Sequence, residues 1–237
     1  MTGPMQHQQF VIPAPPQSAV GIVSTDWMFP VRRIYCVGRN YAEHAREMGS
    51  DGREPPFFFQ KPADAILRGG SALPYPPLTQ DLHHEVELVA AIKIGGRNIE
   101  QASAHQHVFG LAVGIDFTRR DLQAVAKKNG RPWEIGKAFD HSAAIAPLTP
   151  LDAEGLPTAG AISLSVNGAE RQRGDIADMV WGLAEVIATL STHYTLAPGD
   201  LIYTGTPAGV GPVVVGDQVT AEIAQLSPLE IRVVDPE

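Results

Sequence analysis

Two acidic residues two positions apart, Glu85 and Glu87 in LHHEVELVAAIKIGG, carry the chain's most chemically suggestive spacing. Side chains alternate along an extended strand, so both carboxylates project from one face with His83, Val89 and Lys93. Leu82, His84, Val86, Leu88, Ala90, Ile92 and Ile94 line the other face. Like charges on neighbouring positions repel unless both are solvated or a cation lies between them. By itself the pattern describes a solvated edge strand as well as a metal site. Asp116 ends the apolar run VFGLAVGID, where a carboxylate is costly unless it borders a pocket. Together the three acids form a hard, all-oxygen set suited to Mg²⁺ or Mn²⁺, with positions left for water and substrate. Zinc prefers His or Cys, and the adjacent His83 and His84 cannot share one strand face.

A second constellation lies in RNYAEHAREMG, Arg39 to Gly49. Asn40 suits an N-cap, Glu43 stands three residues on, and Gly49 is a natural stop, which predicts a helix from Tyr41 to Met48 of about two turns. His44 and Glu47 fall side by side at i, i+3, so the carboxylate can hold one ring nitrogen and leave the other as a base. An ordinary exposed His/Glu pair has the same spacing. So short a helix is marginal alone and suits a lid that closes over bound substrate.

Short β-branched runs separated by Gly, Pro and Asp must position these groups: LVAAIKIGG, VFGLAVGID, AISLSVNG, DLIYTGTP, DQVTAEIAQL and LEIRVVD. Helical periodicity is convincing in DMVWGLAEVIATLSTHY, where Met179, Leu183, Val186, Ile187 and Leu190 share a face. No internal repeat and no regular strand–helix alternation is present, which disfavours a doubly wound or barrel α/β fold. The expectation is a β-rich α+β fold with a few short helices. Residues 1–28 are proline-punctuated and read as an arm, and residues 29–237 as the domain.

The totals narrow the class of function. A chain of 237 residues with 44% hydrophobic content can build a substantial core, and a formal charge of −8 argues against a nucleic-acid partner. No apolar run is long enough for a membrane helix, and MTGPMQHQQFVIPAPP lacks the basic-then-apolar order of a signal peptide. The reading is a cytoplasmic protein acting on a small molecule. The single cysteine, Cys36, sits in the apolar run RIYCVG and reads as buried and inert.

Taken in order, YCVGRNYAEHAREMG, FFQKPADAI, LHHEVEL, GIDFTRRDLQ, PWEIGKAFD, VNGAERQRG and LIYTGTPAGVGPV resemble the fumarylacetoacetate hydrolase family, and within it the acylpyruvate hydrolase branch. The resemblance runs from about Phe29 to the C-terminus. It implies a homodimer with a mixed β-roll or sandwich core. It also implies Mg²⁺ or Mn²⁺ on Glu85, Glu87 and Asp116, water activation by His44 and Glu47 on a lid, and charge stabilisation by Lys137. In that context Thr206 of YTGTPAGVGPV is expected at the substrate carboxylate, with Gln123 and Lys61 as further pocket candidates. Arg39, Arg119 and Arg120 compete for the far carboxylate of a dicarboxylic substrate, and Arg39 is carried forward as a substrate contact.

RRIYCVGRNYAEHAREMG and PPFFFQKPADAI are most similar to members acting on fumarylpyruvate, in the gentisate route of aromatic degradation. The implied reaction is water attack on the distal carbonyl, cleavage of the C–C bond and release of pyruvate as its enolate. Oxaloacetate decarboxylation and isomerisation of a muconate-type diacid are the alternatives on the same metal site.

Overall fold

A computed structural model describes residues 10–41, 54–152 and 155–236. All six β-branched runs form strands: Val86–Ile92, Val108–Asp116, Ala161–Val166, Asp200–Tyr203, Gln218–Ile223 and Leu229–Val234. The largest sheet has eight strands. Its order is Phe57–Lys61, Arg33–Gly38, Asp200–Tyr203, Val86–Ile92, Val108–Asp116, Ala143–Ile145 and Ile66–Arg68, with Thr149–Pro150 also paired to Val108–Asp116. It is a mixed sheet, because Asp200–Tyr203 runs parallel to Arg33–Gly38, and Ala143–Ile145 parallel to Ile66–Arg68. A five-stranded sheet contains Ala169–Asp175, Ala161–Val166, Gln218–Ile223, Leu229–Val234 and Ala72–Pro74. The expected β-rich α+β roll is therefore the observed fold.

Val86–Ile92 lies in the middle of the large sheet, and all its residues are buried. This removes the solvated-edge reading. The alternation holds: Val86, Leu88, Ala90 and Ile92 join the core that also contains the five-stranded sheet. Val89 and Ala91 join a second core on the opposite side. The strand stops sooner than its apolar pattern suggests. Ile94 is 52% exposed, beyond the last ladder pair at Ile92.

The predicted amphipathic helix is Leu183–His193, and Leu183, Val186, Ile187 and Leu190 are buried against the first core. Each such side chain contributes about 1.5–3 kcal/mol of burial. The helix begins later than Met179 because Asn40 captures the preceding backbone. Its Oδ1 accepts from the Trp181 N–H at 2.8 Å, and the Val180 N–H donates to the Asn40 carbonyl at 2.7 Å. Glu185 then accepts from the Gly182 N–H at 3.0 Å and caps the first turn. In the segment read as an arm, Ala19–Gly21 pairs with Met28–Pro30, and Val20 and Phe29 are buried in the second core. Among the described residues, no helix is long and apolar enough to cross a membrane.

Candidate active site

Glu85 and Glu87 bracket the start of Val86–Ile92, and Asp116 ends the neighbouring strand. The Asp116 N–H donates to the Glu85 carbonyl at 2.9 Å. This junction gathers one oxygen from each of the three carboxylates within 4.8 Å of one another, all of them buried. Neither flanking histidine joins them. The buried His84 turns to Gln172, and His83 pairs with Asp81 at 2.8 Å.

Three cations pair with two of the acids, Glu85 and Asp116. Lys137 Nζ donates to Glu85 Oε2 at 2.8 Å and to Asp116 Oδ2 at 2.7 Å. Arg120 Nη2 donates to Glu85 Oε1 at 2.5 Å, and Lys61 Nζ lies 2.8 Å from Asp116 Oδ1. Burial alone would lower the Lys137 pKa, but Asp116 and Glu85 overcome it and push the value up to about 12. Glu87 moves well above the usual carboxylate range, first through burial and then through the charges of Asp116 and Glu85. The Gly205 N–H, donating to Glu87 Oε2 at 2.7 Å, offsets part of this. An all-oxygen cluster that contains a carboxylate resisting ionisation fits a divalent cation, which would relieve that cost.

Local sequence explains the approach of each group. Lys137 closes the four-residue helix Glu134–Lys137 in EIGK. A Cβ on Gly136 would fall 2.9 Å from the Gln123 backbone nitrogen, so glycine lets this helix press against Arg120–Lys128 and bury the lysine. At Gly205 the φ angle is +96°, and a Cβ would meet Asn40 Cβ at 2.8 Å, so only glycine turns this N–H toward Glu87.

A narrow cleft borders the cluster, lined by Arg39, Glu85, Glu87, Asp116, Arg120, Gln123, Lys137 and Thr206. Phe59 and Trp133 supply an aromatic wall, their ring centroids 6.0 Å apart. Lys61 differs from expectation. It does not line this cleft, and its donors go to Asp116, the Phe117 carbonyl and the Lys137 carbonyl, so it is a charge partner of Asp116 rather than a substrate contact. The three arginines also separate. Arg119 stacks on Phe139 at 4.4 Å, and Arg120 is engaged by Glu85 and by Gln123 Oε1 at 2.6 Å. Arg39 enters the cleft with φ at 59° and its Nε unpartnered among the described residues. His44 and Glu47 lie outside the described residues. Cys36 is fully buried, and burial raises its thiol pKa well above the ordinary value, as expected of an inert cysteine.

The sequence pattern described as fumarylacetoacetate hydrolase, C-terminal, matches residues 33–234. The chain belongs to this family. Its members include a fumarylpyruvate hydrolase of Ralstonia sp., 41% identical over 76% of this chain and 93% of the relative. An oxaloacetate tautomerase of Escherichia coli K12 is 42% identical over 81% of this chain and 88% of its own. The crystal structure of a fumarylpyruvate hydrolase from Pseudomonas aeruginosa, in complex with Mn²⁺ and pyruvate, is 52% identical. It superposes with a TM-score of 0.92 over 96% of this chain and 100% of that one. The family match and its fumarylpyruvate hydrolase relatives point to an enzyme that hydrolyses carbon–carbon bonds, and the three buried carboxylates suit a divalent metal.

Gln123 and Thr206 line the cleft, whereas Gln172 had no sequence signal. It lies in VNGAERQRG between charged residues, in a strand whose neighbours Arg171 and Arg173 are exposed, and only the fold discloses that its side chain is buried.

Proposed function

We propose that the enzyme hydrolyses an acylpyruvate, with fumarylpyruvate the favoured substrate, giving fumarate and pyruvate in the gentisate route. The observation that carries this reading is the buried Glu85, Glu87 and Asp116 cluster, with three cations on Glu85 and Asp116, at a cleft that Thr206 and Arg39 line. Those carboxylates would hold Mg²⁺ or Mn²⁺, which when bound supplies Lewis-acid polarisation of an α-keto acid. With a divalent ion added to Lys61, Lys137, Arg120 and Arg39, positive charge would exceed that of the three acids, which suits an anionic substrate.

In this reading Thr206 donates to the α-keto acid carboxylate, and Gln123, fixed by Arg120, faces the chain of the substrate. Arg39 takes the distal carboxylate, and its place in the cleft lining, which Arg119 does not share, supports that assignment. His44, oriented by Glu47, removes a proton from water as it attacks the distal carbonyl. The C–C bond breaks toward the pyruvate fragment, whose enolate charge Lys137 faces before protonation. Resemblance to a homodimeric branch also supports a dimer, which light scattering measures.

Similarity to an oxaloacetate tautomerase favours one second reading, proton movement or decarboxylation on oxaloacetate. Loss of enol absorbance separates the two, using fumarylpyruvate, acetylpyruvate and oxaloacetate with Mn²⁺ or chelator. Metal-dependent loss fastest for fumarylpyruvate, with fumarate and pyruvate formed, is expected. Action on oxaloacetate alone overturns the hydrolase. His44→Ala should retain pyruvate binding and stop hydrolysis; unchanged hydrolysis would remove His44 from its role.

A further inference from the structure

Gln172 is 1% exposed, and all four of its amide positions are occupied. Oε1 accepts from the Val86 N–H at 3.1 Å and meets His84 Nδ1 at 2.9 Å. Nε2 donates to the Pro207 carbonyl at 2.9 Å and to Thr206 Oγ1 at 2.8 Å. Two of these partners are backbone groups with no choice of role. The Val86 N–H can only donate, and the Pro207 carbonyl can only accept, so the amide has one orientation. Two consequences follow from that orientation. His84 carries its proton on Nδ1, and Thr206 Oγ1 must accept from Gln172.

A hydroxyl has one proton. With an acceptor site of Thr206 consumed by Gln172, and the residue lining the cleft, its proton is available to whatever occupies the cleft. We infer that Gln172 is a positioning residue that fixes the polarity of Thr206, making it a donor toward an anionic oxygen of the substrate. The reference point for this polarity is the backbone of Val86, between the two glutamates. One amide therefore couples the position of the acidic strand to that of the loop carrying Thr206. This inference rests on the proposed contact between Thr206 and the substrate carboxylate.

Gln172→Glu keeps the shape and reverses the polarity. A carboxylate at this position accepts the Thr206 proton and withdraws it from the cleft. The probe is pyruvate, titrated calorimetrically into Mn²⁺-loaded protein, with Mn²⁺ affinity measured separately. Because the lost contact is a hydrogen bond to a charged group, Gln172→Glu should weaken pyruvate binding by roughly 10- to 100-fold. Mn²⁺ affinity should change by less than about threefold. In a Thr206→Val background the same substitution should add little, because the hydroxyl through which it acts is gone. Gln172→Met, which cannot accept the proton, should weaken pyruvate less than Gln172→Glu and serves as the folded comparison.

Equal weakening by Gln172→Glu with and without the Thr206 hydroxyl overturns the inference, since the effect is then structural. Unchanged binding in Gln172→Glu overturns it as well, as does an equal loss in Gln172→Met. A Thr206→Val variant that binds pyruvate normally fails in a different place. It removes the substrate contact of the proposed function and, with it, the basis of the inference.

Discussion

Replacing Lys137 by methionine removes one ammonium from between two buried carboxylates and keeps most of the side-chain volume. The lysine Nζ stands 2.8 Å from Glu85 Oε2 and 2.7 Å from Asp116 Oδ2. At an effective dielectric of about 20, a contact of that length corresponds to roughly 6 kcal/mol of gross attraction. Desolvation of the lysine cancels much of this in the native protein. The variant, however, leaves two acids short of a partner, and breaking a buried pair from one side costs about 3–5 kcal/mol. For a domain of this size each kcal/mol moves Tm by about 2–4 °C, so the metal-free variant should melt roughly 6–20 °C lower. Mn²⁺ should recover a larger share of Tm in the variant than in the parent, because the ion supplies the charge that the lysine no longer does. Turnover should stay low by about 10²–10³-fold even when Mn²⁺ saturates, since the ion does not restore the ammonium facing the cleft. Thermal melts with chelator and with Mn²⁺, followed by single-turnover kinetics, measure both effects. A metal-free Tm within about 2 °C of the parent, far below the expected loss, would refute the charge-compensation argument.

Three further outcomes follow from the same geometry. Folding raises the Glu87 pKa above its ordinary 4.5, so the native state holds that proton more tightly than the unfolded chain. The associated stability is fully present below about pH 4.5 and is lost as pH rises through the folded value. Melts in chelator between pH 5 and pH 8 should show this decline, and Mn²⁺ should flatten it; an equal slope with and without Mn²⁺ contradicts the assignment. Gly205→Ala, at φ +96° with Asn40 Cβ 2.8 Å away, should cost about 1–3 kcal/mol and weaken Mn²⁺ binding by displacing the N–H from Glu87, which denaturant titration and calorimetry read. Truncation tests whether the domain begins at Phe29 or earlier. Removing residues 1–16 should leave Tm nearly unchanged, whereas removal through Met28 strips the buried Val20 and should cost about 2 kcal/mol or more.

Local periodicity made the strands legible, because a period of two survives in the sequence wherever one face meets a core. Glu85 and Glu87 were legible for the same reason, and Asp116 because it interrupts apolar residues. The burial of Val86–Ile92 on both faces was hidden, since it depends on strands from distant parts of the chain. Choosing among Arg39, Arg119 and Arg120 needed three dimensions: Arg119 and Arg120 are consecutive, yet one stacks on Phe139 and the other grips Glu85. Lys61 resembled a pocket residue in FFQKPADAI, but its ammonium is enclosed behind Asp116. Gln172 was invisible because its four partners come from two separate segments, His84 to Val86 and Thr206 to Pro207.

The pairing of Glu85 and Asp116 with Lys61, Lys137 and Arg120 separates assembly of the protein from acquisition of its ion. A zinc finger needs metal to cancel its ligands' repulsion and is unfolded without it. Here the cationic side chains offset the charges of Glu85 and Asp116, and Glu87 can keep its proton, so the fold does not depend on an ion for that balance. The same ammonium and guanidinium groups compete with the incoming ion for the ligand oxygens and hold its affinity down. Occupancy should then follow the free divalent pool, which titration of chelator-treated protein with Mg²⁺ and with Mn²⁺ measures.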